Sequence, residues 1–287
     1  MTGKSAIEFL FFSYFNDDIA RIKEDKSELL GVAIDRAYRD AASHVLRFNS
    51  LDFLGDKEKR NIVKTYKVIS YLEILKYIMN ISERKENLRA DWIELMADRL
   101  MKIYELLQEE LASKVDSNIK NRFNLTELKQ YVKKGGEFTF GIAQKWLNMT
   151  VKNIYVMDSI IKIYLDKDET CLSNVCNIFD QYVDIPVDDY IIKAACNRLS
   201  VKVPSENKEQ KKGEYLGNND KYAEKLAWSK WQIENDDEDL TRSYYRAFQH
   251  RMKSALANDK EFVSKGNLLD MENRLWINTA MGLYEKK

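Results

Sequence analysis

Chain breakers are scarce in this sequence, with 2 prolines and 10 glycines among 287 residues. A sheet protein reverses direction every few residues and relies on glycine and proline to do so. So little punctuation predicts long helices, and the expected fold class is all-α, a multi-helix globular protein. Apolar residues at 45% and charged residues at 32% exclude a disordered or low-complexity chain. A chain of this length buries roughly three quarters of its unfolded surface, so neither a disulfide nor a metal is needed to hold it together. Cys171, Cys176 and Cys196 are odd in number and lack C-x-x-C spacing, which implies no disulfide framework, no metal site and no cofactor. They fit a reducing compartment.

Phe9-Leu10-Phe11-Phe12 is apolar enough to raise the question of a signal peptide. Glu8 interrupts the run, and Asp17-Asp18 stand where a small-residue cleavage site belongs. No window reaches 18 apolar residues, so no membrane partner is expected and the protein is read as cytoplasmic. The 46 basic and 46 acidic residues cancel, leaving local charge to decide on partners. Residues 111–153 hold eight basic groups, among them Lys133, Lys134, Lys145 and Lys152, against the three acidic groups Asp116, Glu127 and Glu137. Such a stretch is either a solvated helical face or a seat for an anionic partner.

Helical stripes run through 27–47 and 58–82, and Leu88, Trp92, Met96, Ile103 and Leu107 form another. Asn124 and Glu127 make a capping-box start for a helix that stops at Gly135-Gly136. After Phe138-Thr139-Phe140 comes a long helix over about 141–165, with Ile142, Trp146, Met149, Met157, Ile161 and Tyr164 toward the core. Lys145 lies on the shoulder of that stripe, about 110° from its centre. Pro186 keeps its predecessor out of a helix, and Asp188 is placed to cap the helix that follows. Residues 201–220 read as an exposed loop, with helices again over 221–233, 239–257 and 266–284. Two regions are expected, an N-terminal helical one at 1–120 and a second at 121–287.

The residues with chemical content are Gly141-Ile-Ala-Gln144-Lys145 at one helix start and Ile185-Pro-Val-Asp188 at another. Together they resemble the helix-hairpin-helix DNA glycosylases, most of all the archaeal 8-oxoguanine type, with its similar Gln-Lys pair and Ile-Pro-Val-Asp. The likeness continues in Tyr245-Arg-Ala-Phe248-Gln249 and in the run from Leu268 to Trp276, so it spans about 124–284.

The resemblance implies a glycosylase-like helical core and a glycosylase with AP-lyase action on double-stranded DNA carrying a damaged or modified base. Lys145 would attack the anomeric carbon and form a Schiff base, while Asp188 would stabilise the positive charge developing on the sugar. Lys133, Lys134, Gly141, Gln144 and Lys152 would hold the DNA. Such an enzyme must extrude the base, so aromatic groups are needed to stack on it or fill its place, and Phe140, Trp146, Trp228, Trp231, Tyr245, Phe248 and Trp276 are candidates. Two alternatives stand beside this reading. One is a glycosylase without lyase action; the other is a non-enzymatic helical binding or scaffold protein, favoured by zero net charge and by a hairpin that keeps a single glycine.

Overall fold

The apolar stripes are carried on helices. In a computed structural model of the chain, the structure describes residues 3–22, 24–41, 56–113, 138–205, 213–215, 225–231, 238–262 and 266–284. Among these residues the helices are α1 (Gly3–Phe15), α2 (Lys26–Ala41), α3 (Asp56–Ser82), α4 (Trp92–Ser113), α5 (Phe140–Leu165), α6 (Ser173–Phe179), α7 (Asp189–Asn197), α8 (Glu238–Asn258) and α9 (Leu268–Ala280). Among the described residues the only strands are β1 (Val203–Ser205) and β2 (Gly213–Tyr215), so the fold is all-α with one small hairpin. No helix among the described residues is long and apolar enough to cross a membrane.

The chain divides into two compact units. Residues Met1–Phe138 join Met149–Tyr182, and Thr139–Asn148 join Val183–Lys287, so α5 belongs to both. In the first unit Tyr66 is fully buried, with its ring edge-on to Tyr104 at 5.5 Å and to Phe138 at 5.3 Å. Trp92 meets Phe179 edge-on at 5.1 Å and donates its indole N–H to the Tyr182 carbonyl. The α4 helix starts at Trp92, so Leu88 of the expected stripe lies ahead of it. A buried carboxylate fixes the entry to α6: Asp158 accepts from the Thr170 and Ser173 hydroxyls at 2.6 and 2.9 Å and pairs with Lys162 at 2.8 Å.

The second unit packs α7 against α9 and α9 against α8. Its core holds Trp231, Phe248, Met252 and Leu275 beside Ile191 and Ile192 of α7. Asn267 caps α9 through a reciprocal capping box with Asp270. Two expectations fail here. The exposed loop at 201–220 contains the hairpin, in which Val203 pairs with Tyr215 and Ser205 with Gly213, and Val203, Pro204 and Ser205 are buried. The reason is that β1, Val-Pro-Ser, is buried along its whole length and so carries no apolar–polar alternation to mark it as a strand. Pro204 is tolerated because a two-stranded ladder consists of edges.

The helix expected over 221–233 is, within the described residues, an extended stretch followed by one 3₁₀ turn at Trp228–Lys230. Its backbone is used elsewhere: Leu226 N–H donates to the Pro204 carbonyl and Lys225 bridges to Ser205. The Asn124 capping box, Gly135-Gly136, Lys133, Lys134 and most of the basic stretch lie outside the described residues.

Replacing Asp158 by alanine strands a lysine and two hydroxyls. The unfolding free energy is expected to fall by about 2–4 kcal/mol, read as a lower urea midpoint at unchanged slope, with Asp158→Asn milder.

Candidate active site

All of the residues that form the site belong to the second unit, beginning with the start of α5. Thr139 caps that helix, its hydroxyl accepting from Ile142 N–H at 3.3 Å and donating to the Ser229 carbonyl at 2.8 Å. Gly141 N–H donates to the Trp231 carbonyl at 2.9 Å. These bonds seat the 228–231 turn on the first turn of α5, and the seat requires glycine. A Cβ at residue 141 would collide with the Trp228 carbonyl oxygen and stand 3.2 Å from the Trp231 Cβ. Lys145 is four residues further along the same helical face, and its Nζ lies over the Trp228 ring at 4.4 Å from the centroid.

The second half of the site is the segment 183–188, which Pro186 keeps out of a helix. Gln249 of α8 holds it at both backbone groups of Ile185, accepting from the N–H at 2.9 Å and donating to the C=O at 2.8 Å. Gln144 of α5 donates to the Gly141 carbonyl at 2.9 Å and to the Val187 carbonyl at 3.4 Å. Asn148 bridges Gln144 to the Tyr245 hydroxyl, which donates to Asp184, itself paired with Lys253 at 2.7 Å. This buried network ties both segments to α8.

Asp188 then sits as the N-cap of α7 with an extended backbone, φ −140°. Its Oδ1 accepts from Ile191 N–H at 3.0 Å, and its Oδ2 accepts from the Trp276 indole at 3.0 Å. Lys145 Nζ is 3.7 Å from the same Oδ2. The lysine and aspartate side chains are 11% and 16% exposed. At that separation and an effective dielectric of about 20 the attraction is worth roughly 4 kcal/mol, most of it offset by desolvation. Net stability is therefore a poor reason for the pair to exist. The partly exposed aromatics beside it are Trp228, Trp276 and Tyr190, with Tyr190 42% exposed and edge-on to Trp276 at 5.0 Å.

The site residues read from the sequence divide sharply. Lys145, Asp188, Trp228 and Trp276 come together. Phe140, Trp146, Trp231, Tyr245 and Phe248 do not serve as stacking or wedge groups in this arrangement, because each is 0–1% exposed. Phe140 packs edge-on against Tyr245 at 5.3 Å, and Phe248 against Trp231 at 5.7 Å. Gly141 and Gln144 are buried with their polar groups bonded inside the protein, so neither is placed to touch DNA. Lys152 is half-buried on the part of α5 that belongs to the first unit. Lys133 and Lys134 lie outside the described residues.

Sequence reasoning missed the roles of Tyr190 and Gln249, whereas Trp228 stood among its aromatic candidates. The one signal for Gln249 was its place in the Tyr245–Gln249 run; Tyr190 had only its position two residues after Asp188. Elsewhere, burial pushes the Cys176 thiol and the Tyr155 hydroxyl upward and the Tyr66 hydroxyl well above the usual range, so none is poised as a nucleophile.

No family model, curated protein or solved structure matches this chain.

Because Gly141 admits a backbone turn, Gly141→Ala is expected to cost about 1–3 kcal/mol in urea unfolding. A variant as stable as the parent would show that the turn does not depend on the bare Cα.

Proposed function

We propose that the protein is a DNA glycosylase with AP-lyase action on a modified base, with Lys145 as nucleophile and Asp188 as its electrostatic and proton-transfer partner. The observation that carries this reading is the 3.7 Å approach of the Lys145 amine to the Asp188 carboxylate, both largely buried and flanked by part-exposed aromatics. The geometry suits the chemistry in three ways. A carboxylate fixed by two N–H donors keeps its orientation as charge develops opposite it, which is the condition for electrostatic catalysis. It is also a proton acceptor 3.7 Å from the amine, which attacks only as the neutral nucleophile. Tyr190 and Trp276 offer aromatic surface where an extruded base would need it.

In this scheme the amine nitrogen forms a bond to C1′ while the glycosidic C–N bond breaks, its electron pair leaving with the base, which takes up a proton. Opening of the sugar ring leaves a protonated Schiff base. Loss of a C2′ proton then expels the 3′ phosphate, and water releases the lysine.

A second reading has its own observation. Gly141 N–H and the Gln144 amide are both bonded within the protein rather than offered outward, which favours a helical scaffold or binding protein whose lysine–aspartate pair is a structural lock.

Borohydride separates the two. Incubation with duplexes carrying oxidised, alkylated or deaminated bases is expected to leave a covalent protein–DNA adduct that disappears in Lys145→Gln. Asp188→Asn is expected to slow base release roughly a hundredfold or more. Base release without an adduct would make the enzyme monofunctional, and neither product on any lesion would leave the scaffold reading.

A further inference from the structure

Each oxygen of the Asp188 carboxylate accepts from an N–H donor, and one of the donors is a side chain from a distant helix. Oδ1 accepts from Ile191 N–H at 3.0 Å, the ordinary bond of an N-cap. Oδ2 accepts from the Trp276 indole N–H at 3.0 Å, and this is the oxygen that faces the Lys145 amine at 3.7 Å. Capping α7 needs Oδ1 alone. The bond to Oδ2 therefore serves the other half of the carboxylate, the half turned toward the amine.

The indole is itself held in place. Helix α9 packs on α7. Leu275, the residue before Trp276, is fully buried, and Asn278, two residues after it, donates to Glu261 at 2.9 Å and to the Tyr284 hydroxyl at 2.7 Å. Tyr190 meets the ring edge-on at 5.0 Å. The terminal torsion of an aspartate has only broad preferences, so a single bond leaves the second oxygen free to swing, and bonds to donors on two helices do not.

The kind of donor matters as much as its place. An indole offers one N–H and carries no charge. It orients the carboxylate without neutralising it, whereas a lysine or arginine in its place would oppose the negative charge that the sugar has to meet.

We propose that Trp276 is a positioning residue for base release, aiming Asp188 Oδ2 toward the reacting centre beside Lys145 while leaving the carboxylate's charge uncancelled. The inference rests on the reading of Asp188 as the electrostatic partner and adds which step depends on the indole. Positive charge develops on the sugar as the glycosidic bond breaks, and there the direction of the carboxylate counts. At an abasic site that bond is already gone: the Lys145 amine adds to the aldehyde of the open sugar, and loss of water gives the Schiff base. Removing the indole N–H therefore slows base release far more than it slows trapping on abasic DNA.

Trp276 is replaced site-specifically by benzothienylalanine, which keeps the fused ring and puts sulfur where the N–H stood, in the parent and in Asp188→Asn. Base release is followed at single turnover on duplexes carrying 8-oxoguanine, hypoxanthine or uracil, whichever the parent releases fastest. Borohydride trapping is followed on the same duplex with an abasic site.

Base release is expected to fall about tenfold to a hundredfold, the usual loss when a hydrogen bond that orients a functional group is removed. Trapping and the urea midpoint are expected to stay at the parent's values, and the replacement to have no further effect in Asp188→Asn, because the indole acts through that carboxylate. With an active parent, equal losses in both assays, a full second loss in Asp188→Asn, or no loss at all overturn the role of Trp276 and leave the glycosylase standing. A parent that releases no base and traps no abasic DNA removes the glycosylase and this role with it, so the two failures are told apart.

Discussion

Two glutamine side chains make the site possible. The segment 183–188 is held out of helix by Pro186, yet Val183, Ile185, Pro186 and Val187 are buried, and buried backbone groups must find partners. Gln249 satisfies both groups of Ile185, and Gln144 reaches the Val187 carbonyl. An amide that donates and accepts at once is the one neutral side chain that imitates a neighbouring strand, so the segment is paired as if in a sheet without one. Asp188 follows directly, and Lys145 is the residue after Gln144. The placement of amine and carboxylate is therefore inherited from the contact of their neighbours and does not depend on their own attraction.

That order of cause bears on energetics. A partly buried ion pair 3.7 Å apart returns little beyond what desolvation takes away. Were the pair needed only for stability, two apolar residues of similar volume would serve as well. The polar network running from Gln144 through Asn148 and Tyr245 to Asp184 and Lys253 is a better structural device, because its inner bonds, from Asn148 to Gln144 and Tyr245, are made in the buried core. Lys145 and Asp188 hang on this network's edge, where charge is retained at the boundary of the core.

Local physics explains what was legible in the sequence. Helix α5 and the cap at Asp188 follow from a stripe, a proline and an acceptor side chain, all within a few residues of one another. The burial of Phe140 and Tyr245 does not, because each is covered by the other across 105 positions, and a helical period says that a residue faces inward without saying onto what. The hairpin was hidden by the charged residues around it: its first strand, Val203 to Ser205, is short and buried throughout, so no alternation marks it. The placement of Trp228 lay further out of reach. Its turn is fixed by bonds to Thr139 and Gly141, the former spanning 90 residues, and no window around 228 contains that information. Gly141 shows the same limit, since a glycine opening a helix reads as a backbone contact for a ligand, whereas here the partner is the protein's own chain.

The aromatic residues sort by a single criterion, the partner their polar tip has found. Trp231 and Tyr245 donate inward, to the Leu226 carbonyl and to Asp184, and their rings are closed over by Phe140 and Phe248. Trp276 donates to the Asp188 carboxylate, so its ring is anchored at the boundary and keeps a face partly open. Tyr190 packs its edge on that indole and remains 42% exposed. Trp276 and Tyr190 thus keep part of their aromatic surface in water beside Asp188, unlike the rings of the core that α8 closes.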